Sequence, residues 1–287
     1  MEKKVIAIMG LGLIGGSLAA ALRGFEDYEV VGIARRRETA DYAMEHGVCD
    51  RVSLDPREVL PQADLTFLCM DPEGIIRILR EDGGLFAPGS LVSDVCGIKG
   101  AIMKAAEALP PEVDFIGSHP MAGTEFSGVE HSFPEMFRNA HYLMTPRPTS
   151  TGAHIDLIRR LADYAGFRDV VTTTPEAHDS MIAYTSQMMH IIAVSVSDDE
   201  SLFTCRGFEG NSFRDCTRVA ALDAGLWTQL FSNNSEALCA CLDRLMDNLD
   251  KYREVLRSGD KRRLKAMLEY SSARKKLVNL DIGLSQS

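Results

Sequence analysis

The chain has 287 residues, 45% of them hydrophobic and 25% charged, which is the composition of a globular protein long enough for two domains. Its formal net charge of −10 argues against a nucleic-acid partner, because the phosphate backbone would be repelled. The seven cysteines form no CxxC pair and no Cys/His cluster, so we expect reduced thiols, a cytoplasmic location and no metal site.

The N-terminal residues 5–22 form an uncharged run after two lysines, as in a signal peptide. Four glycines inside this run argue against the helical core of a signal peptide. No other stretch approaches the ~20 apolar residues of a membrane span. We therefore expect a protein without a membrane segment.

The first 174 residues alternate short apolar runs with helical patterns. Continuous apolar runs are typical of strands covered on both faces, and their alternation with helices predicts a doubly wound, mainly parallel sheet. The predicted strands are residues 5–9, 30–34, 65–70, 91–95, 115–118, 141–145 and 170–173. The predicted helices between them are residues 16–23, 37–46, 74–80 and 100–108.

After residue 174 the pattern is helical throughout and predicts no strand. The predicted helices are residues 176–197, 213–222, 226–257 and 260–278. Pro175 suits a first helical turn, so we predict an α/β domain over residues 1–174 and an all-α domain over 175–287. A helical domain of about 110 residues has a thin core, and we expect a homodimer that buries its apolar faces.

A glycine-rich turn, G-L-G-L-I-G-G-S, occupies residues 10–17 between the first predicted strand and the first helix. In this setting a GxGxxG motif is typical of a Rossmann-type dinucleotide-binding domain. Gly10 permits the tight turn, Gly12 lets the backbone approach the pyrophosphate, and Gly15 lets the helix pack closely on the strand. The residues predicted to bind the cofactor are Gly10, Leu11, Gly12, Leu13, Ile14, Gly15, Ala34, Arg35, Arg36, Met70 and Asp94.

The end of the second predicted strand indicates which nucleotide binds. An acidic residue there normally holds the ribose 2′-hydroxyl of NAD, but this strand ends in Ala34-Arg35-Arg36-Arg37. Arginines suit the 2′-phosphate of NADP through charge-assisted hydrogen bonds. The sequence therefore favours NADP, with NAD as the alternative, because an arginine cluster can also be a solvated surface.

Three further motifs carry candidate catalytic residues. His119 stands at the end of the fifth predicted strand, beside glycines, where open α/β sheets bind ligands. Ser186 and His190 are four residues apart and share one face of a predicted helix. Asp215 and Arg218 share a face of the next helix.

In this order, the motifs resemble those of the prephenate dehydrogenase family of tyrosine biosynthesis. The matching pieces are the glycine loop, the segment from Ser93-Asp94-Val95 to Lys99, H-P-M-A-G-T-E at residues 119–125, S-x-x-x-H and D-x-T-R, which together span residues 5 to 220. The resemblance implies oxidative decarboxylation of prephenate, a small dianion, to 4-hydroxyphenylpyruvate, with hydride transfer to the nicotinamide. It also implies that the all-helical region is a dimerisation domain.

The resemblance assigns roles to individual residues. His119 matches the histidine that accepts the proton of the substrate hydroxyl, and Arg218 matches the arginine that grips a substrate carboxylate. The predicted catalytic residues are His119, His190 and Arg218, and the predicted substrate-binding residues are Gly123, Thr124, Glu125, Ser186 and Asp215. One departure is Gly97, which stands where the family commonly has a serine that assists at the substrate hydroxyl.

Three alternatives remain beside this interpretation. An arogenate dehydrogenase would have the same motifs and is compatible with NADP. A β-hydroxyacid dehydrogenase is disfavoured, because its catalytic lysine has no counterpart near residues 186–190. A non-catalytic protein that senses nicotinamide dinucleotides would need only the glycine loop, so His119, His190 and Arg218 argue against it.

Overall fold

The computed structural model describes residues 3–124 and 126–281, with the side chains of residues 280 and 281 left aside. The chain forms two compact units, Met1–Leu238 and Cys239–Ser287. None of the helices in the described ranges combines the length and apolar content that a bilayer crossing requires.

An eight-stranded sheet forms the centre of the first unit, with strand order β3-β2-β1-β4-β5-β6-β7-β8. All neighbouring strands are parallel except β6 and β7, which confirms the predicted mainly parallel sheet. The strands are β1 Lys4–Met9, β2 Tyr28–Ile33, β3 Arg51–Ser53, β4 Leu65–Leu68, β5 Leu91–Asp94, β6 Asp114–Pro120, β7 His141–Pro146 and β8 Asp169–Thr172.

The prediction missed β3. This strand has three residues, lies at the sheet edge and lacks the apolar run that marks a buried strand. The strand that carries His119 is consequently the sixth and not the fifth.

Helices cover both faces of the sheet, so the doubly wound architecture is also confirmed. One hydrophobic core contains side chains such as Leu22 and Leu161, and the other contains Ile75, Leu79 and Ile102. The helices are α1 Leu13–Leu22, α2 Arg37–Glu45, α3 Pro72–Glu81, α4 Gly100–Ala106 and α5 Gly152–Tyr164. Because β1 and β4 are neighbours, the order reverses there, and sheets of this kind bind ligands at such a reversal.

The helical region begins at Pro175, as predicted, and the Thr174 hydroxyl accepts a hydrogen bond from the Ala177 amide at 3.2 Å. The predicted helix 176–197 contains a π-helical turn, Ala183–Gln187, between two α-helices. The α-helices of the first unit in this region are α6 Pro175–Ile182, α7 Met188–Ser197, α8 Asn211–Thr217 and α9 Ala224–Ser232. The predicted helix 213–222 is shorter than expected, because a 3₁₀ turn, Arg218–Ala220, follows α8.

The prediction of one helix over residues 226–257 was wrong. The chain breaks at Asn233 and Asn234, and α10, Ser235–Ser258, begins after them. The buried Asn234 side chain donates to the Asp179 carbonyl at 2.9 Å and to Gln187 Oε1 at 2.7 Å. Asparagine side chains compete with helical backbone bonds, and here tertiary partners stabilise the break.

The second unit contains most of α10 and all of α11, Lys261–Asp281. Gly259 joins them in the left-handed region, with φ +71°. Large apolar side chains remain exposed on both helices, namely Met246, Leu249, Leu256, Leu268, Tyr270, Leu277 and Val278. The predicted boundary between residues 174 and 175 stays a prediction.

Candidate active site

A cavity of about 680 Å³ opens in the first unit at the carboxyl ends of the parallel strands. Its volume is in the usual range for small-molecule sites. Seven of the predicted site residues line it, namely Ile14, His119, Gly123, Thr124, Ser186, His190 and Arg218. Ile14 at the start of α1 and the candidate catalytic residues therefore line one cavity.

Among the described residues, one predicted substrate-binding residue is not in this wall. Asp215 lies exposed on α8 and does not line the cavity. Arg218 begins the 3₁₀ turn that follows α8, and this residue lines the cavity. Glu125 lies outside the described residues.

The glycine loop fits a dinucleotide pyrophosphate. Gly10 has φ +102°, and a side chain on Gly10 or Gly15 would collide with backbone carbonyls. A Cβ on Gly12 would meet nothing within 4 Å, so open space faces the backbone at that point. No side chain caps α1 at Gly12, which leaves amide donors of its first turn for an anion.

The other predicted cofactor residues surround this loop in different ways. Leu11, Leu13 and Ala34 are buried. A cofactor would therefore contact their backbone atoms, while their side chains pack in the protein interior. Arg35 and Arg36 are exposed, and within the described chain no carboxylate lies at ion-pair distance from either. These two guanidinium groups are available to a ligand at the end of β2. Met70 lies beyond the end of β4 and packs on one of the hydrophobic cores.

The Asp94 carboxylate is fully buried and bound by the protein itself. It accepts hydrogen bonds from Lys99 Nζ at 2.5 Å, from the Cys96 amide at 2.9 Å and from the Ser118 amide at 3.1 Å. The side chain of Asp94 therefore holds the loop after β5, and a cofactor contact at this residue would come from its backbone.

His119 begins a chain of buried polar contacts. Its Nδ1 lies 3.0 Å from His178 Nε2, and His178 Nδ1 lies 2.8 Å from Asp179 Oδ1. The Asp179 carboxylate also accepts hydrogen bonds from the backbone amides of Lys99 and Gly100, each at 2.7 Å. His178 and Asp179 are buried on α6, behind the cavity wall.

The protein environment favours neutral imidazoles in this site. Burial holds the pKa of His119 well below its ordinary value, and the positive charge of Lys99 lowers it further. Burial also lowers the pKa of His178 and of His190. All three rings are consequently neutral near pH 7, and a neutral imidazole can accept a proton.

His190 is held by a backbone contact and an aromatic ring. Its Nδ1 donates to the Ser186 carbonyl at 3.0 Å, so its lone pair is on Nε2. The ring stacks on Trp227, with centroids 3.7 Å apart and an interplanar angle of 30°. The four-residue spacing of Ser186 and His190 thus has a structural basis, although the contact uses the serine backbone.

Two charged side chains line the same cavity. No carboxylate of the described residues lies within ion-pair distance of Arg218, so its guanidinium is open to an anion. Asp223 Oδ1 accepts a hydrogen bond from the Leu226 amide at 2.9 Å and caps α9. Asp223 lies beside Leu222 and Leu226 in the lining of the cavity.

Gly97 stands where the resembling family commonly has a serine, and the space beside Gly97 shows whether a side chain could lie there. A Cβ there would lie 3.6 Å from Leu230 Cδ2 and 3.9 Å from His119 Nε2, which are ordinary contact distances. A β-carbon therefore fits at this position without displacing its neighbours. The described residues contain no cluster of three or more His, Cys, Asp or Glu side chains that could hold a metal ion.

Sequence analysis missed four residues of the site: His178, Asp179, Asp223 and Trp227. His178 and Asp179 are adjacent in sequence and form no motif, because their partners are 59 and 80 residues away. Asp223 carries the signal of a helix cap, which also describes many surface aspartates. No local pattern connects Trp227 to His190.

Comparison with known families and proteins gives consistent matches over the chain. The family model described as "Prephenate dehydrogenase, nucleotide-binding domain" matches residues 18–171. A second family model, described as "Prephenate dehydrogenase, dimerization domain", matches residues 174–270. The cyclohexadienyl dehydrogenase of Zymomonas mobilis is 30% identical over 264 residues, which cover 90% of each chain. The prephenate dehydrogenase of Bacillus subtilis is 28% identical over 267 residues, covering 90% of this chain and 71% of that protein.

Solved structures share the fold. The arogenate dehydrogenase of Synechocystis has a TM-score of 0.82 and 27% identity, with 96% of this chain and 99% of that chain covered. The prephenate dehydrogenase of Aquifex aeolicus, solved with hydroxyphenyl propionate and NAD⁺, has a TM-score of 0.84 and 23% identity, with 96% and 99% covered.

Proposed function

The chain belongs to the prephenate dehydrogenase family, and we propose on this premise that it oxidatively decarboxylates prephenate to 4-hydroxyphenylpyruvate. The carbinol carbon of the substrate loses a hydride, the ring carboxylate leaves as CO₂, and the ring becomes aromatic. The names of the Zymomonas and Bacillus relatives support the proposal, because their similarity extends over 90% of this chain.

The main support for the proposal is that His119 lines the same cavity as Ile14, which lies in the first turn of α1. Burial lowers the pKa of His119, so its imidazole is available as a base. The proton leaves the oxygen and the hydride leaves the carbon of the same carbinol group. The base that takes the proton must therefore lie next to the hydride acceptor.

The residues of the cavity divide the remaining work. When bound, the nicotinamide ring supplies the hydride acceptor, and the glycine loop with the first turn of α1 holds its pyrophosphate. His119 Nε2 accepts the hydroxyl proton, and Arg218 binds a substrate carboxylate through its planar guanidinium. His190, fixed by Ser186 and Trp227, limits the positions that the substrate can take.

We extend the proposal to NADP as the preferred nucleotide, with NAD as the alternative. Arg35 and Arg36 follow β2, where a 2′-phosphate would lie, and β2 ends without a carboxylate for a ribose 2′-hydroxyl. Equilibrium titration of both nucleotides tests this step. Tighter binding of NAD than of NADP would contradict it.

Asp223 favours a second candidate substrate, arogenate, which carries an amino group beside its side-chain carboxylate. Arg218 and Asp223 line one cavity, and a zwitterionic side chain could satisfy the guanidinium and the carboxylate together. A keto acid offers Asp223 no hydrogen-bond donor. The name of the Zymomonas relative, cyclohexadienyl dehydrogenase, is compatible with either substrate.

The deciding experiment crosses two substrates with two nucleotides and follows reduced cofactor by its absorbance. Turnover of prephenate supports the main proposal, and preferential turnover of arogenate supports the second. The Asp223→Asn variant is a matched probe, since asparagine also caps helices but carries no charge. No turnover with prephenate, arogenate or simple 3-hydroxyacids would favour a nucleotide sensor.

We further propose a helical domain over residues 175–287 that forms a homodimer. The matching family model is described as a dimerization domain and covers most of this range. The exposed apolar side chains of α10 and α11 support a second copy as the partner, because aqueous exposure of such side chains is unfavourable.

A further inference from the structure

We propose that His178 and Asp179 are positioning residues that hold His119 in the one neutral tautomer able to accept a proton from the substrate. The inference rests on the proposed function, because it concerns the base of that reaction. It assigns a purpose to a buried histidine and a buried aspartate that do not line the cavity.

The hydrogen-bond chain determines the position of each proton. The Asp179 carboxylate accepts hydrogen bonds from two backbone amides, which can only donate. The same carboxylate is the acceptor in its contact with His178 Nδ1, so this nitrogen carries a proton. A neutral His178 protonated at Nδ1 has its lone pair on Nε2. That lone pair lies 3.0 Å from His119 Nδ1, which must therefore carry a proton, leaving the lone pair of His119 on Nε2.

The free nitrogen of His119 faces the reacting space. A Cβ built on Gly97 would lie 3.9 Å from His119 Nε2, and Gly97 itself lines the cavity. In the other tautomer, Nε2 would carry a proton and could not accept one, and two lone pairs would oppose each other across the contact with His178. The observed contacts therefore select the tautomer required for catalysis.

The carboxylate that starts the chain is itself fixed. Asp179 binds the amides that precede and begin α4, and the Asn234 side chain donates to the Asp179 carbonyl at 2.9 Å. The orientation of His178 is thus set by contacts with α4 and with the residue before α10. Such support can hold a catalytic ring within the narrow geometry that proton transfer requires.

The charges around His119 explain why a carboxylate is useful there. Lys99 Nζ is fully buried and paired with Asp94, and the charge of Lys99 opposes a positive charge on His119. Asp179 lies two contacts from His119 and supplies negative charge that can stabilise the imidazolium through His178. His178 keeps its own proton throughout.

The hydroxyl O–H bond breaks and an N–H bond forms at His119 Nε2, while the electron pair on oxygen forms the carbonyl as the hydride departs. Loss of CO₂ returns an electron pair to the ring. The resulting phenolate oxygen takes the proton back from His119, which restores the starting tautomer.

The tautomer can be measured without any substrate. In protein with ¹⁵N-labelled histidine at pH 7, we expect the His119 signal, identified by its loss in His119→Asn, to show a protonated Nδ1 and an unprotonated Nε2. His178→Leu should remove this preference. A protonated Nε2 in the unaltered protein would overturn the proposal, whichever substrate the enzyme uses.

Kinetics of matched variants provide the second test. His178→Leu removes the acceptor for His119 Nδ1, and we expect kcat to fall by about 10²-fold with a small change in KM. His178→Gln places an amide oxygen near the former Nε2, and we expect it to recover much of the loss. Exposed His141, replaced by glutamine, is the control.

The outcomes separate this inference from the proposed function. A folded His178→Leu protein with unchanged kcat and an unchanged His119 tautomer would overturn the role of His178. If the glutamine variant were no more active than the leucine variant, the acceptor at Nε2 would not be what matters. An unaltered protein that shows the expected tautomer but turns over neither substrate would count against the proposed function alone.

Discussion

At the scale of single residues, the cavity is built around neutral histidines and Arg218, which has no ion-pair partner among the described residues. Burial lowers the pKa of His119 and of His190, which favours their neutral forms, while Arg218 contributes a guanidinium group. Bases and an anion anchor therefore coexist in one cavity without forming ion pairs with each other.

His119 is the proton acceptor of the proposed reaction. Replacing it with asparagine removes the proton acceptor, and we expect kcat to fall by roughly 10²-fold or more. The dissociation constant of the nucleotide should change little, because the glycine loop binds the pyrophosphate. Steady-state kinetics and nucleotide titration measure the two effects, with His141→Asn as the control. Near-normal turnover in His119→Asn would refute the assigned role.

Arg218→Ala should act mainly on substrate binding. Loss of a hydrogen bond to a charged group costs about 1.5–3 kcal/mol, so we expect KM to rise roughly 10- to 100-fold, with a smaller change in kcat. Arg214→Ala is a matched control, since Arg214 is exposed on α8 outside the cavity wall. Equal effects of the two substitutions would point to general charge and not to a carboxylate site.

The stability of the protein should fall as the pH drops below about 6.5, the ordinary histidine pKa. His178 resists protonation in the folded state, because burial lowers its pKa, while the unfolded chain takes up the proton. The unfolded state then binds more protons, so the free energy of unfolding decreases, by up to about 1 kcal/mol for this histidine at pH 5.5.

Urea unfolding at pH 7.5 and 5.5 measures this effect. His178→Gln should lose less stability between the two pH values than the unaltered protein, because the glutamine does not titrate. An equal or larger loss in the variant would contradict the direction of the pKa shift.

At the scale of elements, the loop between β5 and α4 contributes Val95 and Gly97 to the cavity lining. Lys99 Nζ is fully buried and donates to the Asp94 carboxylate and to the carbonyls of Cys96 and Ile98. This one side chain fixes the path of the loop that presents Gly97 beside His119.

Lys99→Met should destabilise the fold by about 3–5 kcal/mol, because it leaves the buried Asp94 carboxylate without its counter-charge. Adding Asp94→Asn should recover part of this loss, since the amide is neutral and similar in shape. Chemical denaturation of the single and double variants measures the difference. A double variant less stable than Lys99→Met would show that the missing charge is not the cause.

At the scale of the whole molecule, the second unit differs in charge from the rest of the chain. It contains 11 Lys and Arg against seven Asp and Glu, whereas the whole chain has 31 against 41. The basic residues alternate with exposed apolar side chains on α10 and α11, so charge alone does not describe this surface. A second copy that covers the apolar side chains would stabilise both helices.

We expect sedimentation to give twice the mass of one chain. Leu249 and Leu256 are exposed and seven residues apart on α10. Replacing both with glutamine should weaken the dimer, because burial of each leucine contributes ~1.5–3 kcal/mol. Asp247→Gln with Glu254→Gln, at the same spacing, is the control. An unchanged dimer in the leucine variant would place the interface elsewhere.

The sequence by itself determined the features that depend on local pattern. Continuous apolar runs indicated seven of the eight strands, and the GxGxxG spacing identified the loop that begins the cofactor helix. His119 was predictable because it ends a strand beside glycines. Short-range features of this kind arise from backbone geometry and from burial, which the sequence states directly.

Only the tertiary structure decided which side chains meet. In the structure the Asp94 carboxylate binds a buried lysine, and Asp215 does not line the cavity. His119 contacts His178, which in turn contacts Asp179. The break before α10 likewise depends on Asn234 bonding to a distant carbonyl. Such contacts link residues tens of positions apart, and their energies depend on burial and orientation, which no local pattern records.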